Sequence, residues 1–340
     1  MSVNAGSYMS KILSGLTAAG RHGPLLLCVG VLIGLLLPQL AGFARPLMGG
    51  AVFVFTLGAF LKVERSAFID EARSVVRLMT VLAWTTFGVP IVAYVLVAAT
   101  AFPSDIDVGI VLATLAPPVG SAAAIAAMLG LNTSLALIAT VAATVATPLY
   151  LPALAQLMIG ADISIDTAAL AMRLALIIGG AAMTSYLLRR FARHWVNDNP
   201  HAMTGLSVVG LIVVAIGAMH GMDAHILADP GRAAEVLLLA FGLNIGLQLF
   251  GAAMFVRLGS IGSLTVGLVS GNRNVTLVWA AATPLLVAHP DAELFLAMSV
   301  FPIFMLPLVT KQLMKAYERL SAPRRRRESA IIPSSRAARG

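Results

Sequence analysis

Long runs of apolar residues fill most of this chain, and short connections rich in charge, proline or glycine separate them. An α-helix needs about 20 residues to cross the hydrocarbon core of a bilayer, and the runs are close to that length. The pattern therefore predicts an all-α integral membrane protein with ten transmembrane helices. The predicted spans are residues 24–41, 46–61, 78–101, 108–129, 133–159, 168–188, 203–221, 233–256, 264–288 and 292–310.

The connections between the spans fall into two sets that differ in charge. One set is basic and holds Lys62, Arg65, Arg73, Arg77, Arg189, Arg190, Arg193 and His194, with Arg324–Arg327 after the last span. The intervening set is acidic or neutral and holds Asp105, Asp107, Asp162, Asp166, Asp223, Asp229, Asp291 and Glu293. Because basic loops stay in the cytoplasm, we predict a plasma (inner) membrane protein with both termini cytoplasmic.

The first run has some features of a signal peptide. Lys11 and Arg21 precede it, and small residues at 40–44 follow its apolar core. We interpret it as a retained span, because its removal would leave an odd number of spans. The basic loops and the basic tail would then lie on opposite sides of the membrane.

Composition agrees with membrane insertion and excludes other classes. Hydrophobic residues make up 59% of the chain and charged residues 11%, against about 25% charged in soluble domains. The net charge of +8 lies in loops and tail rather than on one face, which argues against nucleic acid as a partner. A single cysteine, Cys28, forms neither a disulfide framework nor a thiolate metal site. We expect no metal and no cofactor.

The spans divide into two halves of five. A half with an odd number of spans, inserted twice, gives two copies of opposite orientation, as in many transporters. The predicted organisation is a cytoplasmic N-terminal segment (1–23), a first five-helix repeat (24–160), a second (161–311) and a basic cytoplasmic tail (312–340).

The fourth span of each half carries residues that break helices. In the first half these are Ala116–Ser121, where Pro117 and Pro118 lack backbone N–H groups. In the second half they are Ser270–Asn274, where glycine and asparagine favour non-helical backbone. Unwound backbone is tolerated at membrane depth only inside protein or beside a cavity, and paired broken helices point to a transporter's binding site. The alternative is two unrelated kinks with packing roles only.

Arg273 lies in the second break, midway along the apolar stretch from Leu264 to Ala288. Its guanidinium stays protonated and needs a partner at membrane depth, yet every Asp and Glu lies at a segment end or in a connection. One hypothesis is a bidentate clamp for an anionic solute. The other is a latch onto the carbonyl end of a broken half-helix. We take the clamp as the first hypothesis.

The residues of the two breaks resemble those of the bile acid:sodium symporter superfamily of ten-span secondary transporters. Ala116–Ser121, the stretch Met128–Leu135 and Thr147-Pro148 resemble that family's broken fourth helix and its fifth helix. Gly271 and Asn274 match two positions of its ninth-helix motif. The resemblance implies a panel domain and a core domain, fourth and ninth helices that cross in the core, and transport by alternating access.

The chain departs from the family at the positions that bind sodium. Val269 stands in place of a Glu, Arg273 in place of a Gln, and Ala122 and Ala123 in place of a Ser-Asn pair, while Thr140 keeps its residue type. Sodium needs several oxygen ligands, which these residues do not supply. We infer that Arg273 permanently supplies the positive charge that a bound cation supplies in the relatives.

The predicted substrate site comprises eight residues. Asn272 and Asn274 flank Arg273, and Asn244 and Gln248 are one helical turn apart on the eighth span. Each of these polar residues has an alternative role in satisfying backbone groups or bonding between helices. The full set is Arg273, Asn272, Asn274, Pro118, Ser121, Thr140, Asn244 and Gln248.

These features predict a secondary transporter for a small organic anion, without the family's usual sodium sites. One alternative is a membrane sensor that binds the solute without moving it. Another is an intramembrane enzyme, which needs a nucleophile and a base in contact. His220, His225 and His289 all lie at segment ends, and we predict no catalytic residues. The substrate, the direction, the coupling ion and the oligomeric state cannot be inferred from the sequence.

The charge pattern of the loops makes a testable prediction. In a Cys28→Ala background, single cysteines at positions 104 and 164 should react with an impermeant thiol reagent added outside intact cells, because both connections belong to the acidic set. A cysteine at position 329, in the basic tail, should react only after lysis. Labelling of position 329 in intact cells would reverse the predicted topology.

Overall fold

A computed structural model describes residues 11, 13–20, 22–62, 74–100, 104–160 and 165–331 of the chain, and the described residues form helices and no β-strands. The first half contains α1 (Gly23–Leu36), α2 (Pro38–Ala44), α3 (Met48–Leu61), α4 (Val75–Ala83), α5 (Val89–Thr100), α6 (Ser104–Leu115), α7 (Ala122–Met128) and α8 (Thr133–Ile159). The second half contains α9 (Thr167–Phe191), α10 (Arg193–Asp198), α11 (Pro200–Gly217), α12 (Met222–Ala228), α13 (Pro230–Met254), α14 (Gly259–Gly271), α15 (Val275–Leu286) and α16 (Pro290–Ile331). A π-helical segment, Trp84–Gly88, joins α4 to α5.

Several helices have the length and hydropathy of membrane spans. Seven among the described residues qualify, and an eighth is added if Leu13–Gly20 and Leu25–Leu36, bent by 95°, count as one. The two predicted spans that are broken, α6–α7 and α14–α15, consist of shorter helices. The all-α membrane class is therefore supported, whereas the ten-span count and the inverted repeats stay predictions.

Several predicted boundaries were wrong, and local backbone chemistry explains two of them. The first span ends at Leu36 rather than at 41, and the second begins at Pro38 rather than at 46. Proline lacks an N–H and disfavours helical geometry in the residue before it, which ends α1 at this point. The second break is also shorter than predicted, since α14 continues through Gly271.

The two ends of the helical bundle carry opposite charges among the described residues. At one end, here called the basic end, the Arg189 Nη2 atom donates to the Leu61 carbonyl oxygen at 2.6 Å. The other, acidic end is tied together by ion pairs and a hydrogen-bonded tryptophan. These contacts are Arg45 with Glu293, Trp279 with Glu293, Arg232 with Asp291, and Asp105 with His289.

The predicted separation of basic from acidic connections is thus present in the folded chain. Which end faces the cytoplasm stays a prediction. Arg65, Arg73, Asp162 and position 164 lie outside the described residues.

Glycines let helices of the two halves approach closely. A Cβ on Gly210 of α11 would lie 2.6 Å from the Ala51 carbonyl oxygen and 2.9 Å from the Phe55 backbone nitrogen. Because lipid is as apolar as the side chains, close backbone contact through small residues is a main source of helix association in membranes. The α3–α11 interface therefore requires glycine at this position.

Gly210→Ala should lower the thermal unfolding midpoint of the purified protein, because the new methyl group meets rigid backbone atoms. Overpacking of this kind destabilises by about 1 to 3 kcal/mol. Gly179→Ala is the matched control, since a Cβ there would have nothing within 4 Å and alanine is the better helix former. An unchanged midpoint for Gly210→Ala would contradict the tight α3–α11 interface.

Candidate functional site

The two predicted breaks lie against each other and pair through their backbones. The Val119 N–H donates to the Asn272 carbonyl oxygen at 2.8 Å, and the Asn274 N–H donates to the Pro117 carbonyl oxygen at 2.7 Å. These bonds form a short antiparallel bridge centred on Pro118 and Arg273. Each break thus supplies hydrogen-bond partners that the other has lost, as buried backbone requires.

Arg273 is the residue that links this bridge to its surroundings. Its side chain is buried, with 3% of its surface exposed. Its Nη2 atom donates to the carbonyl oxygens of Thr85 at 2.7 Å and Thr114 at 2.8 Å, and Nη1 donates to the Val269 oxygen at 3.3 Å. None of these partners is a carboxylate. The charge is therefore solvated by three carbonyl dipoles from three separate chain segments.

Each of these carbonyls belongs to backbone that lacks a full set of helical partners. Thr114 lies in the last turn of α6, whose final carbonyls have no partner within the helix. In the π-helical segment the Val89 N–H donates to the Trp84 oxygen, five residues earlier. The corresponding partner of the Thr85 oxygen would be Pro90, which has no N–H.

Three further residues at the crossing were not predicted from the sequence. Trp84 Nε1 donates to Ser270 Oγ at 2.8 Å, and Tyr150 Oη donates to the Leu115 carbonyl oxygen at 3.0 Å. Thr85 contributes its backbone oxygen. Pro90 is a sequence signal that could have identified Thr85, whereas nothing in the sequence distinguishes Trp84 or Tyr150 from other aromatic residues of apolar helices.

The predicted asparagines and glutamine form a hydrogen-bonded chain from α13 to the second break. Gln248 Nε2 donates to Asn244 Oδ1, and Asn244 Nδ2 donates to the Gly271 oxygen at 2.9 Å and to Asn272 Oδ1 at 3.2 Å. Asn274 caps α15, since its Oδ1 accepts from the Leu277 N–H at 3.3 Å. Asn244 therefore forms hydrogen bonds between helices, and Asn274 caps a helix, which are the alternative roles considered for them.

Six of the eight predicted site residues are connected in this way, and two lie apart. Pro118, Arg273, Asn272, Asn274, Asn244 and Gln248 belong to the bridge and its polar chain. Ser121 and Thr140 make no side-chain hydrogen bond to another described residue, and both hydroxyl oxygens are buried. Asn272 Nδ2 and Arg273 Nε are also buried and without a described partner. These four groups retain hydrogen-bonding capacity for water or a solute.

The free space beside the network is unevenly distributed. Asn272 and Gln248 line a cavity of about 120 Å³, whereas the cavity beside Arg273 and Asn244 has only about 20 Å³. A water molecule requires about 10 to 15 Å³ on such a measure. In this conformation the guanidinium therefore has room beside it for about one water, and its Nη atoms are already engaged by carbonyls.

The positions that correspond to sodium ligands in the resembling family are buried and apolar. Ala122 has 0% of its surface exposed, Val269 has 1% and Ala123 has 9%. None of these side chains carries an oxygen. Thr140 Oγ1 is the oxygen retained among the compared side chains.

No protein-family model matches the chain, and a search of curated protein sequences finds no match. The resemblance to bile acid:sodium symporters therefore depends on the residues of the two breaks and stays a prediction. The function is argued from the geometry of the site.

The contacts of Arg273 predict the effect of removing it. Arg273→Gln should destabilise the ligand-free protein by about 3 kcal/mol or more, because the shorter side chain leaves three buried carbonyls unpaired at about 1 to 3 kcal/mol each. Arg273→Lys should be intermediate, since it keeps the charge but loses the planar fork. The loss of stability is measured as the change in thermal unfolding midpoint in detergent. Arg257→Gln is the control for charge removal, because Arg257 is exposed.

The clamp hypothesis predicts a different result for the same variants. Arg273→Gln would then fold with an unchanged midpoint and lose about 2 to 5 kcal/mol of anion affinity, as expected when one partner of a buried charge pair is removed. Loss of stability without ligand supports the latch, and loss of affinity alone supports the clamp.

Proposed function

We propose that this protein is a secondary transporter that moves a small organic anion across the membrane by alternating access. The observation that carries the proposal is the pairing of the two breaks, Pro117–Val119 with Asn272–Asn274, inside the helical bundle. Continuous helices would satisfy the hydrogen bonds of their own backbones. Two interruptions at one place in the bundle therefore indicate that unwound backbone has a role there. Substrate sites of many transporters are built in this way.

Arg273 gives the crossing a fixed positive charge. Its described hydrogen-bond partners are neutral carbonyls, so the local excess of positive charge is not cancelled by a carboxylate. Such a charge favours an anion as the solute. The guanidinium acts chiefly as a latch in this conformation, and it attracts the solute through its field rather than by a direct clamp.

The proposed transport does not use the family's sodium sites. The apolar side chains of Ala122, Ala123 and Val269 leave too few oxygens for sodium. The charge of Arg273 stands where the relatives bind a cation, so the crossing is electropositive without one. A membrane sensor for the same solute is the second candidate, since binding alone needs no movement of the helices.

The motion required for transport can be assigned to the acidic end. Arg45 precedes α3 and pairs there with Glu293 of α16, and its guanidinium also lies 5.0 Å from the centroid of the Trp279 ring. The contact joins the first half of the chain to the second. Opening at the acidic end would separate them.

Counterflow in proteoliposomes tests the proposal. Vesicles loaded with unlabelled small carboxylates, such as 2-oxoisovalerate, pyruvate and isovalerate, should accumulate the labelled compound transiently when they contain the protein. Replacing sodium by choline at constant ionic strength should leave the rate unchanged, because the side-chain ligands for sodium are missing. A saturable dependence on sodium would show that other oxygens rebuild the site.

A locked variant separates a transporter from a sensor. In a Cys28→Ala background, cysteines in place of Arg45 and Glu293, joined by a cleavable thiol crosslinker, should abolish counterflow, and cleavage should restore it. The single Glu293→Cys variant treated in the same way is the control. Binding without counterflow in unlocked vesicles would favour the sensor.

A further inference from the structure

A cavity near the basic end lies between helices of both halves. It has a volume of about 50 Å³. The helices α1, α3, α7, α11 and α16 surround it. Most of its walls are apolar. The polar groups that line it include Lys62, Ser121, Thr204 and Ser207.

Two serines in this cavity have unused hydroxyl groups. The Oγ atoms of Ser121 and Ser207 are buried and have no hydrogen-bond partner among the described residues. A buried hydroxyl without a partner is unfavourable, because it has lost its hydrogen bonds to water without replacing them. Two such groups in one cavity offer hydrogen bonds to a polar ligand or to water.

Lys62 supplies positive charge to the same cavity. It follows the last residue of α3, and Ser207 packs against Gly58, one turn earlier on that helix. Loss of contact with water lowers the pKa of the Lys62 amine to about 8. The amine is therefore mostly protonated at pH 7 and loses its proton as the pH rises through about 8.

The charges around the cavity favour an anion. No Asp or Glu is among the described residues that line it. None of the other ionisable groups on or beside these elements at this end lines the cavity. These groups include His22, Arg189, Arg190, Asp198, His201 and Lys311. Arg189 lies close by, since it donates to the Leu61 oxygen.

The dimensions of the cavity restrict the chemistry of the anion. At about 10 to 15 Å³ per water, the enclosed space holds about three to five non-hydrogen atoms, which matches a carboxylate and the carbon atoms next to it. Leu27, Ile125, Val208 and Phe304 line the rest of the cavity and offer contact to an apolar tail.

We propose that this cavity binds the carboxylate group of a small monocarboxylic acid with an apolar tail, with Lys62 as its counter-charge and Ser121 and Ser207 as hydrogen-bond donors. The inference rests on the proposed function in one respect, that the bound acid is the transported solute. Binding at Lys62 itself does not depend on transport.

Isovalerate and its neutral isostere isovaleramide test the site. The thermal unfolding midpoint of the purified full-length protein is measured at increasing concentrations of choline isovalerate, with choline chloride keeping the ionic strength constant. A ligand that binds the folded state raises this midpoint. Isovalerate should bind and isovaleramide should not. The apparent Kd should rise about tenfold between pH 7 and pH 9, as the amine with a pKa of about 8 loses its proton.

Substitutions at Lys62 separate this site from other anion sites. Lys62→Gln should weaken isovalerate binding at pH 7 by about tenfold or more, the effect of removing a buried counter-charge. Lys62→Arg should keep much of the affinity and lose the dependence on pH, because arginine stays protonated. Ser121→Ala and Ser207→Ala should each weaken binding about two- to tenfold. Lys311→Gln, which removes a charge outside the cavity, should have no effect.

Four results would overturn the assignment. They are equal binding of isovaleramide, a preference for inorganic phosphate over isovalerate, unchanged affinity in a folded Lys62→Gln protein, and a pH dependence that persists in Lys62→Arg. Counterflow of a carboxylate with unchanged affinity in Lys62→Gln would reject this site and leave the transporter standing. Binding that depends on Lys62 without counterflow would reject the transporter and leave the site standing.

Discussion

The backbone pairing between the two breaks is the contact on which the centre of the structure depends. Hydrocarbon offers no hydrogen bonds to unwound backbone, so a break survives only if protein groups satisfy its N–H and carbonyl groups. Here the two breaks satisfy each other, through Val119 with Asn272 and Asn274 with Pro117. Each interruption therefore stabilises the other, with a proline break in one half facing an asparagine break in the other.

Arg273 extends this mutual support to a third segment. By bonding to Thr85, Thr114 and Val269, the guanidinium joins the π-helical segment, the end of α6 and the end of α14. A single cation with five donors suits carbonyls that converge from different directions. The same group leaves an excess of positive charge at the crossing, so one residue contributes both to the stability of the breaks and to the proposed preference for an anion.

The charged contacts at the two ends have different consequences for the proposed transport. At the acidic end, Arg45 and Glu293 hold elements of the two halves together, with Trp279 packed against both. At the basic end, Lys62 and the unpartnered hydroxyls of Ser121 and Ser207 surround a cavity. The two ends therefore use their charged groups differently, in ion pairs between the halves at the acidic end and in the lining of a small cavity at the basic end.

The all-α membrane class and the location of both breaks were predictable from sequence, because apolar run length and proline or asparagine chemistry act locally. Arg273 could be singled out for the same reason, as a charge without a nearby carboxylate. Its partners could not be predicted, because the carbonyls of Thr85 and Thr114 lie more than 150 positions away along the chain, and backbone oxygens carry no sequence signature. Lys62 and Ser207 likewise look like an ordinary loop lysine and helix serine until folding brings them to the same cavity as Ser121. Local chemistry fixes where a helix ends, whereas the contacts made by the freed groups depend on how the helices pack.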